Sequence, residues 1–274
     1  MTVERMLPLY EGKMGGQFDY RAASFVGVGD TEIEPNAGHG HMVVVQPRYW
    51  VRESVAEDRL RRREWACTSA LLGFRRVARN TDERTAIAAV IPYGAASYGW
   101  ILTAGPDAEA LAILAGQYNS FAFDYVLRQF LSQPSIPQGT FEQIPTLTRE
   151  RIAAHDHLLG SAMRWVVVRV GALLCTGAEL VHFAQDLRIS SRAWDPTERE
   201  RLRTELDAAY FHFFGVERDD VVYIMETFPI VKRKDEATYG EYRTKRLILE
   251  VFDQMAEAIA NGTSYNSSLD EELA

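Results

Sequence analysis

A mixed α+β fold is expected for these 274 residues: an α/β domain around a twisted sheet over residues 1–145, then a helical domain over residues 146–274. Three observations lead there. Up to about Trp100, short β-branched and aromatic runs alternate with Gly, Pro and Asn punctuation. After Gly105-Pro106 the apolar spacing becomes that of a helix. Pro134, Pro137 and Pro145 then mark a junction, because proline interrupts both ladder and helix. The apolar share, 47%, is ample for a core at this length.

The strand signals, in order, are QFDYRAASFVGVG, HMVVVQPRYW, GFRRVAR, RTAIAAVIP and YGWILTAG. Asn80 and Glu83 also stand at capping-box spacing ahead of RTAIAAVIP, but Ile87, Val90 and Ile91 before Pro92 suit a strand better. DAEALAILAGQYNSFAFDYVLRQFL reads as helix broken at Gly116, and SQPSIPQGTFEQIPTL is too rich in proline for regular helix. Beyond Thr146, LTRERIAAHDHLLGSAMRWVVVRVG reads as helix again. WDPTERERLRTELDAAYFHFFG carries its own ends, with Asp195 as N-cap, Pro196 at N1 and Gly215 as stop. Its Leu202, Leu206, Ala209, Tyr210 and Phe213 share one apolar face. ERDDVVYIMETF forms a short helix and EYRTKRLILEVFDQMAEAIA a final long one, after which the polar tail 263–274 is expected to be disordered.

The net charge of −8 conceals an uneven distribution. From Asp195 onward 18 carboxylates stand against 10 basic side chains, and the preceding 194 residues are balanced. Within that balanced part, Arg48 to Arg84 holds ten arginines against six carboxylates. Screening confines a surface field to about 8–10 Å at physiological salt, so this local excess, not the acidic average, governs attraction of a polyanion. A second basic cluster lies between Phe228 and Leu249. There Arg243, Lys245 and Arg246 alternate in sign with Glu250 and Asp253, outside an apolar stripe of Leu247, Ile248, Val251, Phe252, Met255 and Ile259. Lys232, Arg233 and Lys234, placed in a loop, are followed at once by Asp235 and Glu236, so this cluster reads as a solvated surface.

The longest apolar run, Trp165 to Cys175, is broken by Arg169 and too short for a bilayer, and MTVERMLPLYEGK has no signal-peptide core. A cytoplasmic location without a membrane partner is expected. Cys67 and Cys175 lack CxxC spacing and imply neither a disulfide framework nor a zinc site.

The nucleotide-binding, nucleophile-elbow and HExxH motifs are absent. His39 and His41 would share one face of a strand, without a third ligand at suitable spacing, and His155 and His157 are splayed on a helix. Glu11 and Lys13 form the distal half of a metal-dependent nuclease pattern whose upstream acid is missing, so they read as a turn into a strand. No catalytic or metal-binding residue is assigned. GFRRVARNTDERT gathers Arg75, Arg76, Arg79 and Arg84 around a loop, with Asn80 and Thr81 between them. A guanidinium spans a phosphate or the edge of guanine, and asparagine pairs with adenine, so these residue types on a loop suit DNA reading. Arg79 and Arg84 are equally placed to pair with Asp82 and Glu83.

LPLYEGKMGGQFDYR, RRVARNTDERTAIAAVIP, NSFAFDYVLRQFL with its following QIP, and ELDAAYFHFFGVERDDVVYIMETFPIVKRKDEATYGEYRTKRLILE, in this order, resemble the C-terminal third of large bacterial adenine-N6 DNA methyltransferases. These are restriction-modification enzymes with relatives in phage-defence systems such as DISARM and BREX. The resemblance implies a TaqI-like specificity region: residues 1–145 as an α/β DNA target-recognition domain, then helices. Its implied partners are double-stranded DNA and a methyltransferase catalytic domain or subunit, which binds S-adenosylmethionine. The family's Asn-Pro-Pro-Tyr-type tetrapeptide and its methyl-donor glycine motif are missing, so no cofactor is expected in this chain and no methylation by it alone. Tyr20 stands where the family commonly has histidine. Lys13, Gln17, Arg75, Arg76, Arg79, Asn80 and Arg84 are the expected DNA-binding residues. A protein-interaction scaffold within a defence complex, and a metal-dependent nuclease, are the alternatives.

Overall fold

The computed structural model describes residues 4–36, 44–63 and 70–273 and is a mixed α+β protein, with small sheets in its N-terminal part and a helical C-terminal half. His39, His41 and Cys67 lie outside the described residues. Strands β1 (Met6–Tyr10), β2 (Ala23–Phe25), β3 (Ile33–Pro35) and β4 (Trp50–Arg52) precede helix α1 (Glu53–Arg61). Strands β5 (Ala70–Arg75), β6 (Ala88–Pro92), β7 (Ala95–Ala96) and β8 (Trp100–Thr103) follow. The rest is helical: α2 (Ala108–Asn119), α3 (Phe121–Phe130), α4 (Gln138–Phe141), α5 (Arg149–Ala153), α6 (Asp156–Leu159), α7 (Ala162–Leu174) and α8 (Val181–Asp186). The chain closes with α9 (Pro196–Phe214), α10 (Arg218–Glu226), α11 (Pro229–Tyr239), α12 (Arg243–Asn261) and α13 (Asp270–Leu273).

Contacts group the chain into two units. The first comprises Met1–Val77, Ile87–Ala115 and Gly171–Trp194, and the second Ala78–Ala86, Gly116–Val170 and Asp195–Ala274.

In the first unit the main sheet is antiparallel, in the order β6-β5-β8, with Leu72 opposite Val90 and Phe74 opposite Ile101. All of β6, and β5 as far as Phe74, are buried, which is why both read as continuous apolar runs without alternation. A second small sheet sets β1 antiparallel to β4 and parallel to β7, and β2 pairs with β3. The expected single sheet is thus three small ones among the described residues. Of the described residues of HMVVVQPRYW, 44–50, only Trp50 enters a strand. Residues 44–49 run irregularly, tied by Gln46 O and Tyr49 O, which accept from Phe25 N and Leu9 N, and Pro47 has no N–H to offer a ladder.

In the second unit α9 packs along α12, burying Leu202, Leu206, Ala209 and Phe213 on one helix and Ile248, Phe252 and Met255 on the other. The predicted ends of α9 are present: the Asp195 carboxylate accepts from Thr197 N and Glu198 N, Pro196 is at N1, and Gly215 adopts φ +70°.

Four local expectations are corrected. The break in DAEALAILAGQYNSFAFDYVLRQFL falls at Ser120, whose hydroxyl caps α3 by accepting from Phe123 N. Gly116 lies within α2, where a Cβ would stand 2.6 Å from the Tyr210 hydroxyl and 2.8 Å from Val170, so glycine there permits close helix packing. The segment after Thr146 is α5, α6 and α7, not one helix: α5 stops at Ala153, and Gly160 turns the chain at φ +73° between α6 and α7. Lys232, Arg233 and Lys234 lie on α11, which Pro229 opens at N1 and Gly240 closes at φ +76°, not in a loop. The tail is held rather than free: Leu269 is fully buried, Tyr265 and Ser267 donate to Glu205, and Asp270 accepts from Arg169 Nη2 at 2.8 Å. Arg169, the residue that breaks the apolar run of α7, is itself buried, bonded to Glu205 at 2.6 Å and stacked 3.6 Å from the Trp165 ring.

Candidate nucleic-acid interface

The expected site residues fall into both units. Lys13, Gln17, Arg75 and Arg76 belong to the first, and Arg79, Asn80 and Arg84 to the second.

In the first unit, β1 leads into a single 3-10 turn, Gly12–Met14, rather than the turn leading into a strand. Gly12 rests against the backbone of Gly99: a Cβ on Gly12 would lie 2.5 Å from Gly99 O, and one on Gly99 would lie 2.8 Å from Gly12 N. Gly99 O also accepts from Arg76 N at 2.9 Å. Two side-chain-free residues therefore bring Lys13, Arg76 and Tyr98 together from three distant parts of the chain. Lys13 is exposed, and its ammonium donates to Thr31 O at 3.2 Å and lies 4.5 Å from the Phe25 ring centre. Arg76 is half-buried, with its guanidinium 4.3 Å over the Tyr98 ring and its Nε buried without a hydrogen-bond partner. Tyr98 is 79% exposed. Arg75 is half-buried at the end of β5, opposite Trp100.

Gln17 sits at the tip of a tight turn closed by Gly16 N to Asp19 O at 2.7 Å and Asp19 N to Gly16 O at 3.2 Å. Phe18 beside it adopts φ +56°, a left-handed conformation rarely taken by a bulky residue, and is held there by its N–H to Ala88 O. The following Tyr20 and Arg21 are buried. Tyr20 donates to Glu179 at 2.7 Å and Arg21 to Thr176 Oγ1 at 3.0 Å, and Gly177 leaves the room both need. Burial, with Glu179 beside it, drives the Tyr20 phenol pKa well above its ordinary value. Tyr20 is thus a neutral hydrogen-bond donor in a packed network.

In the second unit the loop around Arg79 is a tight turn, with Arg79 N donating to Asp82 Oδ2 at 2.8 Å and Asp82 N to Arg79 O at 3.1 Å. Arg79 is exposed and its guanidinium has no partner among the described residues. Asn80 is exposed as well, although its amide reaches Leu131 O at 3.2 Å. Arg84 is committed elsewhere. It bonds Asp124 Oδ2 at 2.7 Å and Asn119 O at 2.6 Å and stacks 3.9 Å over the Phe121 ring. Asp124, fully buried, also accepts from Arg128 Nε at 3.0 Å and from Thr85 N, and Arg128 holds the carbonyls of Asp82 and Glu83. Phe228 packs edge-on to Phe121 and under Arg128. Arg84 thus pairs with Asp124, and Glu83 with Lys234.

Nearby, buried Asp207 accepts from Phe121 N at 2.8 Å, and burial pushes its carboxyl up to about 6 against the pull of Arg84 and Arg203. Burial likewise lowers the pKa of Arg203. Three motif blocks far apart in sequence, RNTDERT, NSFAFDYVLR and ELDAAYFHFF, meet here as one buried ionic network under the Arg79 turn.

The cations of the C-terminal cluster are spent on carboxylates. Of its six, Lys232 and Lys245 share Glu226, Lys234 pairs with Glu83, Arg243 pairs with Glu200, and Arg246 bridges Glu241 and Glu250; only Arg233 has no partner among the described residues. His155 and His157 engage the backbone carbonyls of Arg151 and Ala154 through Nδ1. Among the described residues no three His, Cys, Asp or Glu side chains are grouped to hold a metal, and no helix is long and apolar enough to cross a membrane.

Neither Tyr98 nor Asp124 stood out in the sequence reading. The turn signature Ser97-Tyr98-Gly99 and the i,i+4 spacing of Asp124 and Arg128 were the available signals. Comparison with protein-family models, curated proteins and solved structures finds no match to this chain.

Proposed function

We propose that this chain is a DNA sequence-recognition module serving an adenine-N6 DNA methyltransferase of a restriction-modification or phage-defence system. Double-stranded DNA is its ligand and a methylating domain or subunit its partner. The sequence contains neither the glycine loop nor the tetrapeptide that would hold and use S-adenosylmethionine, so no methyl-transfer step is assigned to its residues. One observation carries the reading. In an acidic protein whose C-terminal cations are almost all neutralised, Lys13, Arg76 and Arg79 make no ion pair with a carboxylate among the described residues. Unneutralised charges on hydrogen-bonded backbone are suited to phosphate oxygens, and Arg75 and Gln17 of the first unit and Asn80 of the second are the further residues assigned to the DNA.

The test is a salt-titrated binding measurement with a fluorescent duplex. If the three cations each neutralise a phosphate, the logarithmic salt slope is about −2.7, and alanine at Lys13, Arg76 or Arg79 reduces it by about 0.9 each. Lys232→Ala with Arg233→Ala serves as the control and leaves the slope unchanged. A slope near zero, or one that follows the control pair instead, removes the proposal. In the assembly with its methylating partner, sequencing of methylated sites then separates the roles. A base-reading substitution at Arg79 or Asn80 relaxes one position of the site, by about 1–3 kcal/mol, whereas loss of a phosphate contact weakens all sites alike.

A further inference from the structure

We propose that Tyr98, backed by Arg76, is a platform on which one unstacked nucleobase of the bound DNA lies. The inference rests on the DNA reading above and adds to it a stacking contact with a base, which neither its cations nor the Asn80 amide provides.

Three features of the turn point to it. First, the ring is 79% exposed, so burial gives no reason for an aromatic residue there. Second, the ring is held on a rigid support. Ser97 N donates to Tyr10 O at 2.8 Å, Gly99 N to Ser97 Oγ at 3.3 Å, Trp100 N to Ser97 O at 3.1 Å, and Arg76 N to Gly99 O at 2.9 Å. The Gly12–Gly99 backbone contact locks the same turn from below, and the Trp100 ring is seated against Gly15 and Gly73, where any Cβ would strike it. A side chain whose backbone is already fixed loses little freedom when a ligand covers it. Third, Arg76 lies over the ring and donates through Nη1 to the Tyr98 hydroxyl at 3.4 Å, while its Nε is buried without a hydrogen-bond partner and so bears a desolvation cost. It places a cation against one side of the phenol, and Lys13 joins the same backbone junction.

A flat, exposed π-surface beside the Arg76 guanidinium, which makes no ion pair with a carboxylate among the described residues, fits a base and its phosphate better than an apolar protein face. Val77 beside Arg76 is also exposed, so protein docking is the competing occupant that the test must separate. Within an intact duplex both faces of each base are covered by neighbours, and an aromatic side chain finds a free face only where a base is unstacked. Chemistry on the N6 of adenine creates that state, because the reacting base leaves the helix, its partner loses its pairing, and the bases above and below it lose a stacking neighbour.

The experiment uses the full chain and three probes: an intact duplex, the same duplex with one abasic site facing a 2-aminopurine, and inorganic polyphosphate as a polyanion without bases. Wild type is expected to prefer the abasic duplex by about 5- to 150-fold, the range of a base–aromatic stack, and to quench the 2-aminopurine. Tyr98→Ala abolishes the preference and the quenching while affinity for intact duplex and polyphosphate stays within about twofold, and Tyr98→Trp retains both. Equal preference in wild type and Tyr98→Ala overturns the platform and leaves the DNA reading standing, as does binding of intact duplex by wild type with no preference for the abasic one. Absence of binding to either duplex overturns the DNA reading, and the platform with it.

Discussion

Replacing Asp124 by asparagine keeps its shape and removes one charge, which isolates the ionic network under the Arg79 turn. The carboxylate accepts from Arg84 Nε at 2.7 Å, Arg128 Nε at 3.0 Å and Thr85 N at 3.1 Å. An asparagine oxygen serves one of these donors, while its NH2 group faces another donor and repels it. The side chains of Arg84 and Arg128 are only 13% and 7% exposed, so water cannot replace the lost counter-charge. Arg128 keeps the carbonyls of Asp82 and Glu83, and Arg84 keeps the Asn119 carbonyl and the field of Asp207, a weaker set than the direct Asp124 pairs. Stripping one partner from a buried pair typically costs about 3–5 kcal/mol, and that is the loss expected here. With a urea m-value of about 3 kcal/mol per molar, the unfolding midpoint falls by about 1–1.7 M. Circular dichroism through a urea series measures it. Exchange of the Thr85 amide hydrogen should accelerate in parallel, since that donor loses its acceptor. A midpoint within about 0.3 M of wild type would show that the arginines are solvated or re-paired and that the network does not hold the turn.

Two further predictions concern the same unit. The Asp207 carboxyl titrates near 6 when folded and near its ordinary 3.8 when unfolded, so the folded state gains protons first as pH falls. Its contribution to stability is therefore fully present below about 3.8 and lost as pH rises through 6, about 3 kcal/mol across that window. Relative to Asp207→Asn, wild type should gain that amount between pH 7.5 and pH 4 in paired denaturant titrations, and a constant difference would refute the assignment. Gly116→Ala should destabilise by about 1–2 kcal/mol, because the new Cβ collides with Tyr210 and Val170 by more than the roughly 1 kcal/mol that alanine gains in helix propensity. A rise in thermal midpoint for this variant would mean that the helices move apart freely.

The sequence alone determined features set by neighbouring residues. Asp195-Pro196 and Gly215 define α9 because a cap, a fixed φ and a left-handed stop act within one turn of the chain. The strand at Ala88–Pro92 and the apolar stripe of α12 were legible for the same reason: periodicity is a local property. Signals that depend on a distant partner were not. Gly116 reads as a helix breaker until Tyr210 is seen against it, and the polar tail reads as free until Glu205 and Arg169 offer buried partners for Ser267 and Asp270. The site divides in the same way. The sequence identified an arginine-rich loop, but only tertiary structure distinguished Arg84, neutralised by Asp124 of α3, from Arg79, whose guanidinium makes no ion pair among the described residues. It also brought Lys13, Arg76 and Tyr98 together through Gly12 and Gly99. Charge and residue type are written along the chain, whereas neutralisation and burial depend on which distant residue the fold places alongside.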